Sequence, residues 1–246
     1  MNKIIQNTRN EFYKLISKKK YLVLFIIGAL ICAGRMGGSM LVSKLSGGSV
    51  SVKSNMVLEM LPFCTDILVP LIIFMAVTDL FSSEIQEDTM KAVLLRPISR
   101  FKILTSKSAA AFLTGAICFG VFFLTSTVFQ LISGVKFPAL HTAAAYVLDL
   151  VPVIALILMA VLINLVSKSP SLAMLLCIGV YALFKYLNYF VTPYGQIIFT
   201  AYSHWHKHWL GTLLPINAMA SKLGILFGSI LILYTVSYII FDKRDF

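Results

Sequence analysis

Charge is scarce in this chain: Asp and Glu together number 10 in 246 residues, and charged residues of both signs make up 13% against 59% hydrophobic. A soluble domain cannot be built on that ratio, because there is too little polar surface to cover the apolar side chains. Familiar chemical motifs are missing as well. There is no G-x-x-x-x-G-K-[ST] loop to cradle nucleotide phosphates, no H-E-x-x-H and no serine in a G-x-S-x-G elbow. The chain therefore offers no catalytic residue, and any ATP-driven work requires the nucleotide on another chain. The four cysteines, Cys32, Cys64, Cys118 and Cys177, all sit in apolar runs and form no C-x-x-C. They read as small hydrophobes and not as a disulfide framework. No internal repeat is visible, which argues against a transporter built from inverted halves. Aqueous segments reach only about thirty residues, too short to bury a core of their own.

What the sequence has in abundance is long apolar runs. A hydrocarbon core about 30 Å thick takes roughly 20 residues of helix at 1.5 Å each. Six runs reach that length, near 21–41, 57–80, 108–132, 143–166, 171–191 and 221–241, the first containing Arg35 and the fifth Lys185. They predict an all-α integral membrane protein with six transmembrane helices. The first run follows a basic start but has no small-residue cleavage site, so it reads as a retained span.

Six crossings put both ends on one side, and the basic residues name the side. Lys3, Arg9, Lys14, Lys18, Lys19, Lys20, the five bases between residues 81 and 107, Lys168, Lys243 and Arg244 account for fourteen of the 21 Lys and Arg. The other side carries Arg35, Lys44, Lys53, Lys136, Lys207 and Lys222. The positive-inside rule assigns both termini and the 81–107 loop to the cytoplasm. The net charge of +11 is this asymmetry and needs no nucleic acid to explain it. Lys18, Lys19 and Lys20 abut the first span, where membrane lipids with anionic headgroups are their natural partners.

The loop "FSSEIQEDTMKAVLLRPISRFKILTSK", residues 81–107, is the most structured-looking polar stretch. Asp88 or Thr89 can cap a helix whose Met90, Val93 and Leu94 share one face. Arg96 precedes Pro97, a position disfavoured in the α region, so that helix stops after about two turns. Ser99 then offers a cap for the helix that carries Arg100, Lys102 and Lys107 into the third span. A purely solvated loop would give the apolar face nothing to bury against.

This stretch resembles the loop after the second span of ABC-2 type transporter permeases, the membrane subunits of bacterial ATP-binding cassette systems. Phe81, Glu84, Thr89, Lys91, Leu94, Leu95, Pro97, Ile98, Ser99, Arg100, Ile103, Leu104 and Lys107 carry the likeness. Asp88 departs from it, standing where the family usually has the glycine of a tight turn. The resemblance implies a permease that pairs with a second permease subunit, identical or different, and docks cytoplasmic ATPase subunits, which hold the ATP and Mg; no cofactor is implied on this chain. It implies a coupling helix at 88–97, with Glu84, Glu87, Asp88, Lys91, Arg96 and Arg100 setting register and partner choice. It also implies that residues 1–20 form an amphipathic elbow helix, with Ile4, Ile5, Phe12, Leu15 and Ile16 on its apolar side, a plain membrane anchor being the other reading of that segment. Short re-entrant helices between the fifth and sixth spans complete the expected fold. Export of a peptide, drug, lipid-linked or ionic substrate is the implied function; a membrane scaffold or sensor that docks a cytoplasmic partner is the alternative.

Ionisable groups inside spans need partners or water. Asp149 and Lys185 lie at matched depth, roughly 9 Å below the outer surface by helical rise, and an Asp149–Lys185 ion pair is the leading expectation. It would lock two helices or line an outward cavity. Asp66, between Pro62 and Pro70, sits where prolines free backbone carbonyls, and is expected at a dimer interface or on a substrate path. Asn164 and Ser167 read as helix glue. Outside, residues 192–220 are too aromatic for a plain connector: Tyr194, Tyr202, Trp205 and Trp209 suit the headgroup layer. His204, His206 and His208 find no carboxylate or cysteine within that loop to complete a metal site, so none is assigned.

Overall fold

The structure, a computed structural model, describes residues 3–46, 55–94, 98–190, 197–210 and 215–244, with backbone alone for Ala92, Val93 and Leu94. Arg96, Pro97, Tyr194 and the Gly211–Leu214 stretch lie outside the described residues. Among those described there is no strand. Six helices are long and apolar enough to cross a membrane: Lys19–Leu45, Met56–Gln86, Arg100–Ile132, Ala139–Val166, Pro170–Phe190 and Ile216–Lys243.

Helix α1 (Lys3–Ile16) precedes the first span, α2 (Lys19–Leu45). The second span is composite: α3 (Met56–Phe63), a π-helical turn at Cys64–Leu68, α4 (Val69–Leu80) and the short α5 (Ser82–Gln86). After α6 (Thr89–Leu94) comes α7 (Arg100–Ile132), the third span. The fourth is broken into α8 (Ala139–Leu148) and α9 (Leu150–Val166), and α10 (Pro170–Phe190) is the fifth. A 3₁₀ turn at Phe199–Tyr202 and the four-residue α11 (His206–Trp209) lead to the last span, α12 (Ile216–Lys243).

Both irregular spans have a proline to explain them. Pro70 has no N–H to give to the carbonyl of Asp66, and that carbonyl instead accepts the Tyr181 hydroxyl at 3.1 Å. Pro152 likewise cannot serve Leu148, and the fourth span breaks at Asp149. At the far end of the spans, polar side chains close the seams. Asn55 caps α3 by accepting from Leu58 N–H and donates to Thr142 of α8 at 2.9 Å. Gln130, fully buried on α7, accepts from the backbone N–H of Met56, and Tyr146 donates to the carbonyl of Val57. Gly28 of α2 lets Phe122 of α7 approach so closely that a Cβ would stand 2.5 Å from the ring.

The second and fourth spans form the centre of the bundle, packed against α7; α2, α10 and α12 present most of their surface outward. That outward surface is apolar, with Leu22, Ile26, Leu30, Leu175, Leu183, Leu231 and Ile232 all exposed, as lipid-facing helices require. Helix α7 has 33 residues, about 50 Å at 1.5 Å each, well beyond a hydrocarbon core of about 30 Å. It is longer than a crossing needs, and α1 packs against its first turns, with Asn7 on Ser106 and Glu11 on Lys107. The inward side of α1 is Asn7, Glu11 and Leu15, whereas Ile5, Tyr13 and Ile16 are exposed on its other side.

Candidate functional site

Two groups of polar side chains, one towards each end of the bundle, are placed by this fold. The first surrounds Glu84, on α5. Its carboxylate is buried and takes the Lys107 ammonium at 2.7 Å and the Lys14 ammonium at 2.5 Å. Lys107, itself fully buried on α7, also reaches Glu11 of α1 at 3.2 Å and lies 6.0 Å from the centre of the Phe81 ring. One turn away Asn7 donates to Ser106 at 2.5 Å. Burial alone would lower the Lys14 pKa, but its bond to Glu84, with the charges of Glu11 and Glu87 behind it, holds it above the ordinary lysine value. A second anchor lies beside the first: Asp79, buried at the end of α4, accepts the Tyr21 hydroxyl and lies 2.6 Å from Lys20 and 3.3 Å from Lys18. Together these contacts join α1, α2, α4, α5 and α7 into one rigid corner.

From that corner α6 projects. Glu87 closes α5 and is exposed. Asp88 follows in the left-handed region, with φ of 56°. Its N–H reaches Ile85 carbonyl at 3.3 Å and its carboxylate holds Lys91 at 2.8 Å. Thr89 donates its hydroxyl to the Glu84 carbonyl at 3.3 Å, and Met90 is buried in the core. Helix α7 starts at Arg100 with Ser99 in the cap position but without a side-chain cap bond.

The second group lies at the other end. Asp66, in the π-helical turn, takes Lys185 of α10 at 2.6 Å and His204 Nε2 at 3.2 Å; Lys185 also donates to Ser203 at 3.0 Å. Thr65 lies 3.3 Å from His204 Nδ1. Asp149, with no exposed surface, accepts the His206 backbone N–H and the ring Nδ1–H, both at 2.8 Å. A narrow cleft, of only about 20 Å³, is lined by members of both sets, Thr65, Asp149, Tyr181, Thr200 and Ser203 among them. Farther out, burial together with Lys222 and His206 holds the His208 imidazole below the usual histidine range.

The loop geometry and the composite second span fall within the stretch that a family model described as "ABC-2 family transporter protein" matches, residues 9–185. The chain belongs to the ABC-2 transporter family. No curated protein matches it. As an ABC-2 protein it is a multi-pass membrane component.

Against the sequence expectations, this ABC-2 chain departs at several residues. Asp149 and Lys185 do not pair: equal depth fixes height along a helix but not direction around it. Lys185 faces the π-helical turn of the second span, and Asp149 faces α11. Asp88 is not a plain helix cap but the left-handed residue of a turn, the conformation that glycine adopts at no cost. Glu84 does not face a partner, because Lys107 and Lys14 hold it inside the chain. Arg100 is likewise turned inward, onto the carbonyls of Phe241, Asp242 and Arg244. Tyr202 and Trp205 are buried within the chain, since the 197–210 segment folds back onto Asp66 and Asp149; Trp209 is exposed. Glu87, Asp88, Thr89 and Lys91 face outward, as do Gln86, Ser99 and Phe101 among the described loop residues. Asn164 donates to Ala160 and reaches Cys177 across α9 and α10.

Three features are not foreshadowed by the sequence pattern: the Lys107–Glu11 contact, the Asp79 anchor and the histidine partners. The signal for the last is a pair of acids in the neighbouring spans, outside the loop that carries the histidines. One consequence of the turn at Asp88 is directly testable. Asp88→Gly is expected to raise stability by up to about 1 kcal/mol, by relieving the left-handed backbone, and Asp88→Val to lower it by about 1–2 kcal/mol. Thermal unfolding of the detergent-solubilised variants checks both.

Proposed function

We propose that this chain is the permease subunit of an ATP-binding cassette exporter, driven from the cytoplasm by separate ATPase subunits that seat on the Thr89–Leu94 helix. The observation that carries this reading is the mounting of that helix. It is tied to α5 by the Thr89–Glu84 bond and to the core by Met90, and Glu84 is in turn fixed to α1 and α7. A motor can move membrane helices only through a stiff contact, and this one leaves Glu87, Asp88 and Lys91 outward to set register on an ATPase surface. In this reading both termini lie in the cytoplasm, α1 is the elbow helix with Ile5, Tyr13 and Ile16 towards lipid, and a second permease subunit completes the pathway. The segment at 197–210 corresponds to the re-entrant region.

Asp66 and Lys185 are the candidates for the substrate path. They remain about one-third and one-quarter exposed at a depth where lipid would penalise them, which favours a water-filled route beside them. Asp149 is wholly enclosed and serves the fold.

The test is co-purification. The full chain, solubilised mildly from its native membrane, is expected to bring down an ATPase, and Leu94→Asp or Arg96→Glu is expected to lower the bound ATPase activity at least about tenfold while the permease stays monodisperse. An ATPase that stays fully active with both variants would overturn the docking assignment. An ATPase lost with the variants but never linked to vesicular transport would favour the scaffold or sensor reading.

A further inference from the structure

Between α9 and α10 a concave groove of about 550 Å³ opens on the outward, apolar surface. Its walls are apolar, with Leu162 and Val166 on one side and Leu172, Leu176 and Val180 on the other, and its end on the side of both termini is closed by Ser167 and Lys168. Flat helical faces are covered by any lipid in the bilayer. A concavity of this size needs an acyl chain or a side chain inside it, because an empty apolar void forfeits dispersion contacts on every wall.

The charge at its end says which occupant fits. Lys168 is exposed and has no acidic partner among the described residues. Nearby, Arg244 donates to the carbonyl of Leu165, and Arg100 holds three carbonyls at the end of α12, with Lys243 exposed beside them. Asp242 is the sole acid among these residues. The corner is therefore strongly cationic at the level where headgroups lie, at the mouth of an acyl-sized slot.

We propose that this groove is a binding site for one anionic phospholipid. Its acyl chain lies against Val166, Leu172 and Leu176, and its phosphodiester sits on Lys168. A second copy of this protein is a poorer occupant, since its own helices at this level would bring further basic residues against the same corner. The site is independent of the ATPase assignment, because it needs only a bilayer.

Native mass spectrometry of the full chain, released from detergent loaded with phosphatidylglycerol or with phosphatidylcholine of identical acyl chains, tests it. Retention of phosphatidylglycerol is expected to exceed that of phosphatidylcholine by about fivefold, the effect of one basic side chain near an anionic surface. Lys168→Ala should bring the ratio close to one and Lys168→Arg should preserve it. Leu176→Trp, which fills the groove, should reduce retention of both lipids, with Leu172→Trp as a second filling variant should the first fail to fold. Equal retention of the two lipids, or a ratio unmoved by Lys168→Ala, overturns the proposal. A filling variant that dissociates a dimer and leaves lipid retention intact assigns the groove to a second copy instead.

Discussion

Replacing Lys107 by methionine is expected to destabilise the protein by about 3–5 kcal/mol, the cost of leaving a buried charge without its partner. The reason lies in how the three charges are enclosed. Lys107 has no exposed surface, and among the described residues it is the only buried cation that touches Glu84 and Glu11, themselves nearly enclosed. Lys14 also holds Glu84, but it is about half exposed, and solvent discounts such a pair to about 1 kcal/mol or less. Lys14→Ala should therefore be mild where Lys107→Met is severe. The double variant Lys107→Met with Glu11→Gln removes the orphaned charge, since Glu84 keeps Lys14, and should recover a substantial part of the loss, a coupling that thermal unfolding in detergent measures directly. If Lys107→Met proves no worse than Lys14→Ala, the triad is not the weld between α1, α5 and α7 that its geometry indicates.

Spans were legible in the sequence because length and apolar content alone decide whether a helix can cross a bilayer. Their ends were less so. The helix that carries the third span begins at Arg100, ahead of the apolar run at 108, since its charged first turns are held by α1 and the end of α12, contacts that composition does not reveal. Partnerships within the site were the least legible. Glu11 and Lys107 are 96 residues apart, and nothing local marks them as neighbours. Pro70 did announce a free carbonyl at Asp66, and a hydroxyl duly takes it; which helix would supply that hydroxyl depended on packing. Asp88 was conspicuous as a departure from the family's glycine, and its positive φ shows that the turn is kept with the backbone strain left in place.

The other large effect is expected at Asp149. Asp149→Ala removes both acceptors from His206, leaving a backbone N–H and a ring N–H buried without partners, at a cost of about 3 kcal/mol or more. Asp149→Asn keeps an oxygen for the backbone N–H and loses only the charged bond to the ring, so about 1–2 kcal/mol is expected. Because His206 pins the 197–210 segment to the fourth span at a buried point, the loss should be visible locally: limited proteolysis is expected to cut that segment in Asp149→Ala well before the bundle unfolds. The same variants separate two arrangements of the intramembrane charges. Were Asp149 paired with Lys185, exchanging them as Asp149→Lys with Lys185→Asp would restore the protein. With Lys185 on Asp66 and Asp149 on His206, the exchange breaks two contacts at once and should be at least as damaging as either single change.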